Sequence, residues 1–160
     1  MAIKVGDKIP SATLRYKDSE GIKEITTEEL FSGKKVILFA LPGAFTPTCS
    51  AKHLPGFVQN AETIKAKGVD SIACLSVNDA FVMEAWGKDQ QVGDKVMMLA
   101  DGNADFTKAL GLDMDGSGFG MGTRSQRYAM LVEDGKVSAL NVEAPRAFEV
   151  SSAESMMKLL

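Results

Sequence analysis

Cys49 is the residue of this sequence best placed to act as a nucleophile. It closes the stretch Leu41-Pro42-Gly43-Ala44-Phe45-Thr46-Pro47-Thr48-Cys49, which follows the apolar run Val36-Ile37-Leu38-Phe39-Ala40. That run, with its β-branched members, reads as a strand buried on both faces. Pro42 and Gly43 end it, since Pro lacks the ladder N–H and Gly permits a sharp turn. Thr46 before Pro47 predicts a helix start, with a hydroxyl N-cap and Pro at the first helical position. Cys49 then falls in the first helical turn, where unpaired N–H groups and the positive end of the macrodipole favour a thiolate.

Other residues with chemical potential are more isolated. His53, the only histidine, lies four residues after Cys49 and raises the alternatives of a Cys–His hydrolase or a metal pair. Zinc would need two further ligands, which no Cys/His cluster supplies. A hydrolase would need a third partner to orient the histidine, and the sequence identifies none. His53 therefore reads as a structural or pocket-rim residue. The second cysteine, Cys74, sits in the apolar run Ser71–Val77 and reads as a small buried hydrophobe. Asp113–Gly122 reads as a glycine-rich loop whose glycines lack dinucleotide-binding spacing and precede a strand, which argues against a phosphate cradle.

The elements that must position Cys49 follow from hydrophobic pattern and punctuation. Thr13–Tyr16 and Ile22–Ile25 predict a hairpin covering a sheet edge, followed by a short helix with capping-box spacing at Thr26 and Glu29. The helix carrying Cys49 is expected to run to about Lys67 and stop at Gly68. Leu54, Phe57, Val58, Ala61 and Ile64 form its buried face, with a Pro55-induced bend near 51–52. A strand over 71–77 leads to a helix capped by Asn78 or Asp79, with Phe81, Ala85 and Trp86 packing inward. Strand 96–100, a helix near 104–110, a hairpin around Asp134-Gly135, and a C-terminal helix opened by a Ser151/Glu154 box complete the chain. This order predicts one α/β domain over residues 1–160, with a mixed sheet flanked by helices on both faces and an N-terminal β-hairpin extension.

Bulk properties narrow the classes. The 160 residues suit one domain, and 45% hydrophobic with 24% charged residues is ordinary for a globular protein. A net charge of -3 gives no reason to expect nucleic-acid or membrane partners. Two cysteines make no disulfide framework, so a reducing, cytoplasmic setting is expected. An organellar mature form with its transit peptide removed is the alternative.

Pro42-x-x-x-Thr46-x-x-Cys49 resembles the active-site motif of peroxiredoxins, and PGAFTPTCS resembles that of the type II, fifth-peroxiredoxin-like subfamily. Lys52-His53-Leu54-Pro55-Gly56-Phe57, Cys74 through Phe81, and Gly122-Thr123-Arg124 through Arg127 agree in the same order. The resemblance implies a thioredoxin-like fold and a thiol peroxidase acting on hydrogen peroxide and small organic hydroperoxides through a Cys49 sulfenic acid, without cofactor or metal. It assigns catalysis to Cys49, Thr46, Arg127 and Pro42, with Gly43, Phe45 and His53 around the pocket and Arg124 ordering a loop. It further implies glutathione with glutaredoxin, or thioredoxin, as reductant, and a homodimer to which Phe81 and Phe119 contribute. Cys74 is the candidate resolving cysteine, against which an external thiol is preferred.

A low thiol pKa is an insufficient account of such a reaction. A shift from ~8.5 to ~5.5 raises the thiolate fraction at neutral pH roughly 30-fold. It lowers intrinsic nucleophilicity about 20-fold at a Brønsted slope of ~0.45. The rate must come from orienting the peroxide and stabilising the departing oxygen, for which Arg127, Thr46 and first-turn N–H groups are the expected donors. Two alternatives use the same cysteine. A disulfide oxidoreductase would need a Cys at position 46, where Thr stands, and a redox sensor would stop after one equivalent of peroxide.

Overall fold

The computed structural model describes residues 2–160. Thr13–Asp18 (β1) and Gly21–Thr26 (β2) form the expected antiparallel hairpin, and Thr27–Phe31 (α1) follows. The capping box is present, with Thr26 Oγ1 accepting from Glu29 N–H while the Glu29 carboxylate accepts from Thr26 N–H. The hairpin does more than cover an edge. β1 pairs through Arg15 with Ala100 of Met97–Ala100 (β5), so β1 and β2 are members of the main sheet.

The sheet is seven-stranded, with β2 and β1 at one edge, followed by β5 and then by four strands in the order Ser71–Ser76 (β4), Lys35–Ala40 (β3), Tyr128–Glu133 (β8) and Lys136–Val142 (β9). At its centre β3 runs parallel to β4, and β4 runs parallel to β5. On the other side of β3, β8 lies antiparallel, followed by β9. The turn joining them has Asp134 at φ 49° and Gly135 at φ 77°, the positive dihedrals that an Asp-Gly hairpin predicts.

Strand periodicity divides the core into two layers. Ile37, Phe39, Ile72 and Cys74 face Leu54–Ala66 (α2), Ala80–Asp89 (α3) and Ala153–Met157 (α5). Val36, Leu38, Ala73 and Leu75 face α1 and Asp105–Leu110 (α4). Phe39 and Phe57 stack at 4.1 Å and 9°, which fixes α2 against the central strand. Such a pair adds about 0.5–1.5 kcal/mol beyond area burial.

Several local expectations are revised. In α3 the inward positions are Ala80, Met83, Trp86 and Gly87, at helical spacing. Phe81 and Ala85, four apart on the opposite face, are exposed. Of the two caps expected for α3, Asp79 is the one that serves, accepting from Val82 N–H. The 113–122 segment is not a plain loop: Asp113–Asp115 (β6) and Thr123–Ser125 (β7) pair in a small second sheet. At α5 the cap is Ser152, accepting from Ser155 N–H, because Ser151 is engaged by Glu143.

Gly87 lets α3 approach the sheet, since a Cβ there would lie 2.9 Å from Met98 Cγ and 3.3 Å from Val92 Cγ2. Gly87→Ala is therefore expected to destabilise the fold by about 1–3 kcal/mol, the usual cost of overpacking. Urea denaturation measures it, and an unchanged midpoint would mean Met98 yields freely.

Candidate active site

The site lies beyond the carboxyl end of β3, where open α/β sheets characteristically bind ligands. The chain leaves β3 at Ala40 and turns through 41–46 before helical structure begins at Pro47. The turn is closed by the Thr46 hydroxyl, which donates to Gly43 O at 2.7 Å. Thr46 therefore occupies the N-cap position, its carbonyl accepting from Ser50 N–H, but its side chain does not cap the helix. Its oxygen keeps lone pairs for accepting a bond, whereas its proton is committed to Gly43. Phe45 takes φ 63°, a left-handed conformation that favours glycine, and its ring projects outward near Trp86.

Two residues outside the motif hold this turn. Asn78 accepts from Ala44 N–H at 3.0 Å and from the Ser76 hydroxyl at 2.6 Å, tying it to the end of β4. Arg124, on β7, donates to Pro42 O at 3.2 Å and to Met121 O at 3.0 Å. Gly43 is what admits Arg124, because a Cβ there would stand 2.7 Å from its Nη1.

The expected bend at Pro55 is a π-turn over Cys49–His53, closed by Leu54 N–H to Cys49 O. Widening the turn relieves the clash of the proline ring with the carbonyl one turn back. Ser50 accepts from Trp86 Nε1 at 3.1 Å, which places Trp86 in the core and ties the turn to α3.

Cys49 and His53 both face Arg127, which immediately precedes β8. Arg127 Nη2 donates to Cys49 Sγ at 3.1 Å, and Nη1 to His53 Nδ1 at 2.9 Å. Since Arg127 can only donate, Nδ1 is the acceptor, and the ring proton sits on Nε2, which donates to Ser151 O at 2.9 Å. His53 is fully buried, so it is no rim residue. Burial first, and the Arg127 charge second, lower its pKa to about 3. Phe148 packs on the His53 ring at 5.1 Å and lies 5.8 Å from the Arg127 guanidinium carbon.

A cavity of about 510 Å³ opens over Pro42, Thr48 and Arg127, with Phe119 and Met114 on its outer wall. Cys49, held against Arg127 of its wall, is fully buried, Cys74 on β4 is fully buried too, and both thiols are free. Burial, with Cys49 as a lesser cause, pushes the Cys74 thiol up. Phe45, Phe81 and Phe119 are all more than half exposed around this end of the molecule.

Sequence pattern assigns no role to Glu143 and marks Ser151 only as a helix cap. Glu143 is buried, and its carboxylate accepts from the N–H groups of Glu149, Val150 and Ser151 and from the Ser151 hydroxyl. Burial opposes its ionisation, and those bonds outweigh burial, leaving its pKa below the ordinary range. No spacing rule marks a carboxylate eight residues from the serine it holds.

Comparison with known proteins gives a consistent result. The Redoxin family model matches residues 4–157. The chain is 56% identical to Peroxiredoxin-2E, chloroplastic, of Arabidopsis thaliana, over 99% of this chain and 70% of the relative. It is 49% identical to Peroxiredoxin-2B of the same plant, over 99% and 98%. Reduced Prx3 of Vibrio vulnificus, solved in complex with hydrogen peroxide, superposes with TM-score 0.95 at 58% identity, covering 98% of each chain.

The His53 environment predicts a pH effect. The folded ring stays neutral down to about pH 3, while the unfolded chain takes up a proton below its ordinary 6.5. The stability from this group is thus full above pH 6.5 and lost as pH falls toward 3, by about 2 kcal/mol between pH 7 and 5. Denaturant titrations at the two pH values, repeated on His53→Gln, check it. Equal pH dependence in both proteins would contradict the buried neutral ring.

Proposed function

This chain belongs to the Redoxin family as a peroxiredoxin, a thiol-dependent peroxidase of antioxidant defence with a thioredoxin-like fold, and we propose how its residues divide that work. Cys49 attacks one peroxide oxygen as a thiolate. The S–O bond forms as the O–O bond breaks, giving the sulfenic acid while hydroxide or alkoxide leaves and takes up a proton. The observation that carries this assignment is the 3.1 Å contact from Arg127 Nη2 to Cys49 Sγ, made at the start of a helix. The guanidinium stabilises charge first on the sulfur and then on the departing oxygen, at no cost of reorganisation. Thr46 serves as an acceptor for the peroxide proton, and Pro42 with Thr48 and Arg127 shapes the approach. The apolar outer wall suits small organic hydroperoxides as well as hydrogen peroxide.

Recycling consumes two thiols. The first displaces water from the sulfenic acid to form a disulfide, and the second releases Cys49. We assign both to an external reductant, glutathione with glutaredoxin or thioredoxin, because Cys74 is fully buried and its raised pKa leaves little thiolate. The exposed Phe45, Phe81 and Phe119 support a homodimer beside the site. A reducing compartment, cytoplasmic or organellar, suits this cycle.

Stopped-flow peroxide consumption tests the assignment. Cys49→Ser is expected to abolish turnover, and Cys74→Ser to leave sulfenic-acid formation intact. Arg127→Ala is expected to slow that step by about 10²–10³-fold, the scale of losing one oxyanion donor. Normal turnover in Cys49→Ser would sink the mechanism.

Mass spectrometry after one equivalent of peroxide, with no thiol added, tests recycling. The expected product is a Cys49 sulfenic acid. Rapid, quantitative Cys49–Cys74 linkage within one chain would replace the external thiol with Cys74.

A further inference from the structure

We propose that Glu143 is the positioning residue of this site, aiming the Arg127 guanidinium at Cys49 from both ends of the arginine. The inference rests on the peroxidase reading for its kinetic consequence, and on geometry for everything else. At the backbone end, Glu143 N–H donates to Arg127 O at 2.9 Å. At the side-chain end the connection is longer. The Glu143 carboxylate gathers three successive backbone N–H groups, Glu149 and Val150 at 2.9 Å and Ser151 at 2.8 Å, with the Ser151 hydroxyl at 2.6 Å. This closes 143–151 into a loop whose Ser151 carbonyl accepts from His53 Nε2. With that proton placed, Nδ1 is left as the acceptor for Arg127 Nη1, and Nη2 reaches the sulfur. The same loop carries Phe148 onto the imidazole and the guanidinium.

Each link is obligatory in kind. If Ser151 O moves away, the buried imidazole loses its partner for Nε2–H, and the tautomer with Nδ1 bare is held by Arg127 alone. An imidazole carrying its proton on Nδ1 presents a donor to a donor, and Arg127 must turn aside. Glu143 itself lines the cavity, but its carboxylate oxygens are taken up by the loop, so the carboxylate acts on the Arg127 side chain through Ser151 and His53.

Because His53 is the only histidine, ¹⁵N NMR of the imidazole reads this relay without interference. The wild-type protein should show a neutral ring with a protonated Nε2 and a bare Nδ1. In Glu143→Gln the charge and one acceptor oxygen are lost, and the two ring nitrogens should move toward averaged tautomer shifts. The second-order rate of sulfenic-acid formation should fall about 10- to 100-fold, the scale of a misplacement near 1 Å. Combined with His53→Gln, the Glu143→Gln change should add no further loss, because both act on one path. Should Glu143→Gln not fold, Ser151→Ala removes one donor to the carboxylate and should slow the step about threefold. A wild-type ring protonated on Nδ1, a folded Glu143→Gln with wild-type rate, or additive losses in the double variant would overturn the proposal. Absence of peroxide consumption in the wild type would instead overturn the peroxidase reading, and would leave the NMR result standing.

Discussion

The structure depends on one cation having two acceptors in place before any substrate arrives. Arg127 cannot shed its charge, and its guanidinium is only partly open to water, so its N–H groups must find partners inside the protein. Cys49 Sγ supplies one and His53 Nδ1 the other. Satisfying the second dictates much of the surrounding architecture. The imidazole must be neutral, which burial secures, and in one tautomer, which requires a carbonyl opposite Nε2. That carbonyl comes from Ser151, nearly a hundred residues along the chain, and it stays there because Glu143 holds its loop. Preorganisation here means that no group has to rotate or desolvate when charge develops on the substrate.

The helix geometry serves the same constraint. Cys49 and His53 are four residues apart, and in a regular α-helix Pro55 would press on the carbonyl of the preceding turn. The π-turn resolves that clash and keeps Cys49 O bonded to Leu54 N–H. It also leaves both side chains directed at Arg127. A proline that looks like a fault in helix 54–66 is thus the local cause of an irregular turn at the reacting residue, a frequent location for π-bulges.

Much of this was legible in the sequence. Continuous apolar runs mark the central strands because parallel strands bury both faces, and Asp134-Gly135 marks its hairpin because the turn needs positive φ. Cys49, Arg127 and Pro42 could be assigned through the resemblance, and the structure brings the first two into contact. The failures share a cause. Hydrophobicity alone sets Phe81 and Ala85 inward, while the helical phase of Met83 and Trp86 turns both outward, where the resemblance also places Phe81. Thr46 before Pro47 signals a hydroxyl cap, yet the hydroxyl is captured by a carbonyl three residues back. The sequence leaves His53 between a structural and a rim role, marks Ser151 only as a helix cap and gives Glu143 no role, because their functions arise from contacts between distant segments. No local periodicity encodes a histidine's tautomer.

The relay also explains why the partner of Arg127 is an imidazole when carboxylates are available nearby. Among the described residues, Arg127 makes no ion pair with a carboxylate. A carboxylate at 4 Å would interact with the guanidinium by about 4 kcal/mol at an effective dielectric near 20. Its negative charge would offset much of the positive field that the sulfur and the leaving oxygen are meant to feel. A neutral imidazole orients the guanidinium through a hydrogen bond and adds no opposing charge. Glu143 keeps its own charge occupied with backbone N–H groups and a hydroxyl, so it steers the arginine through neutral intermediaries and leaves the cation free for the chemistry.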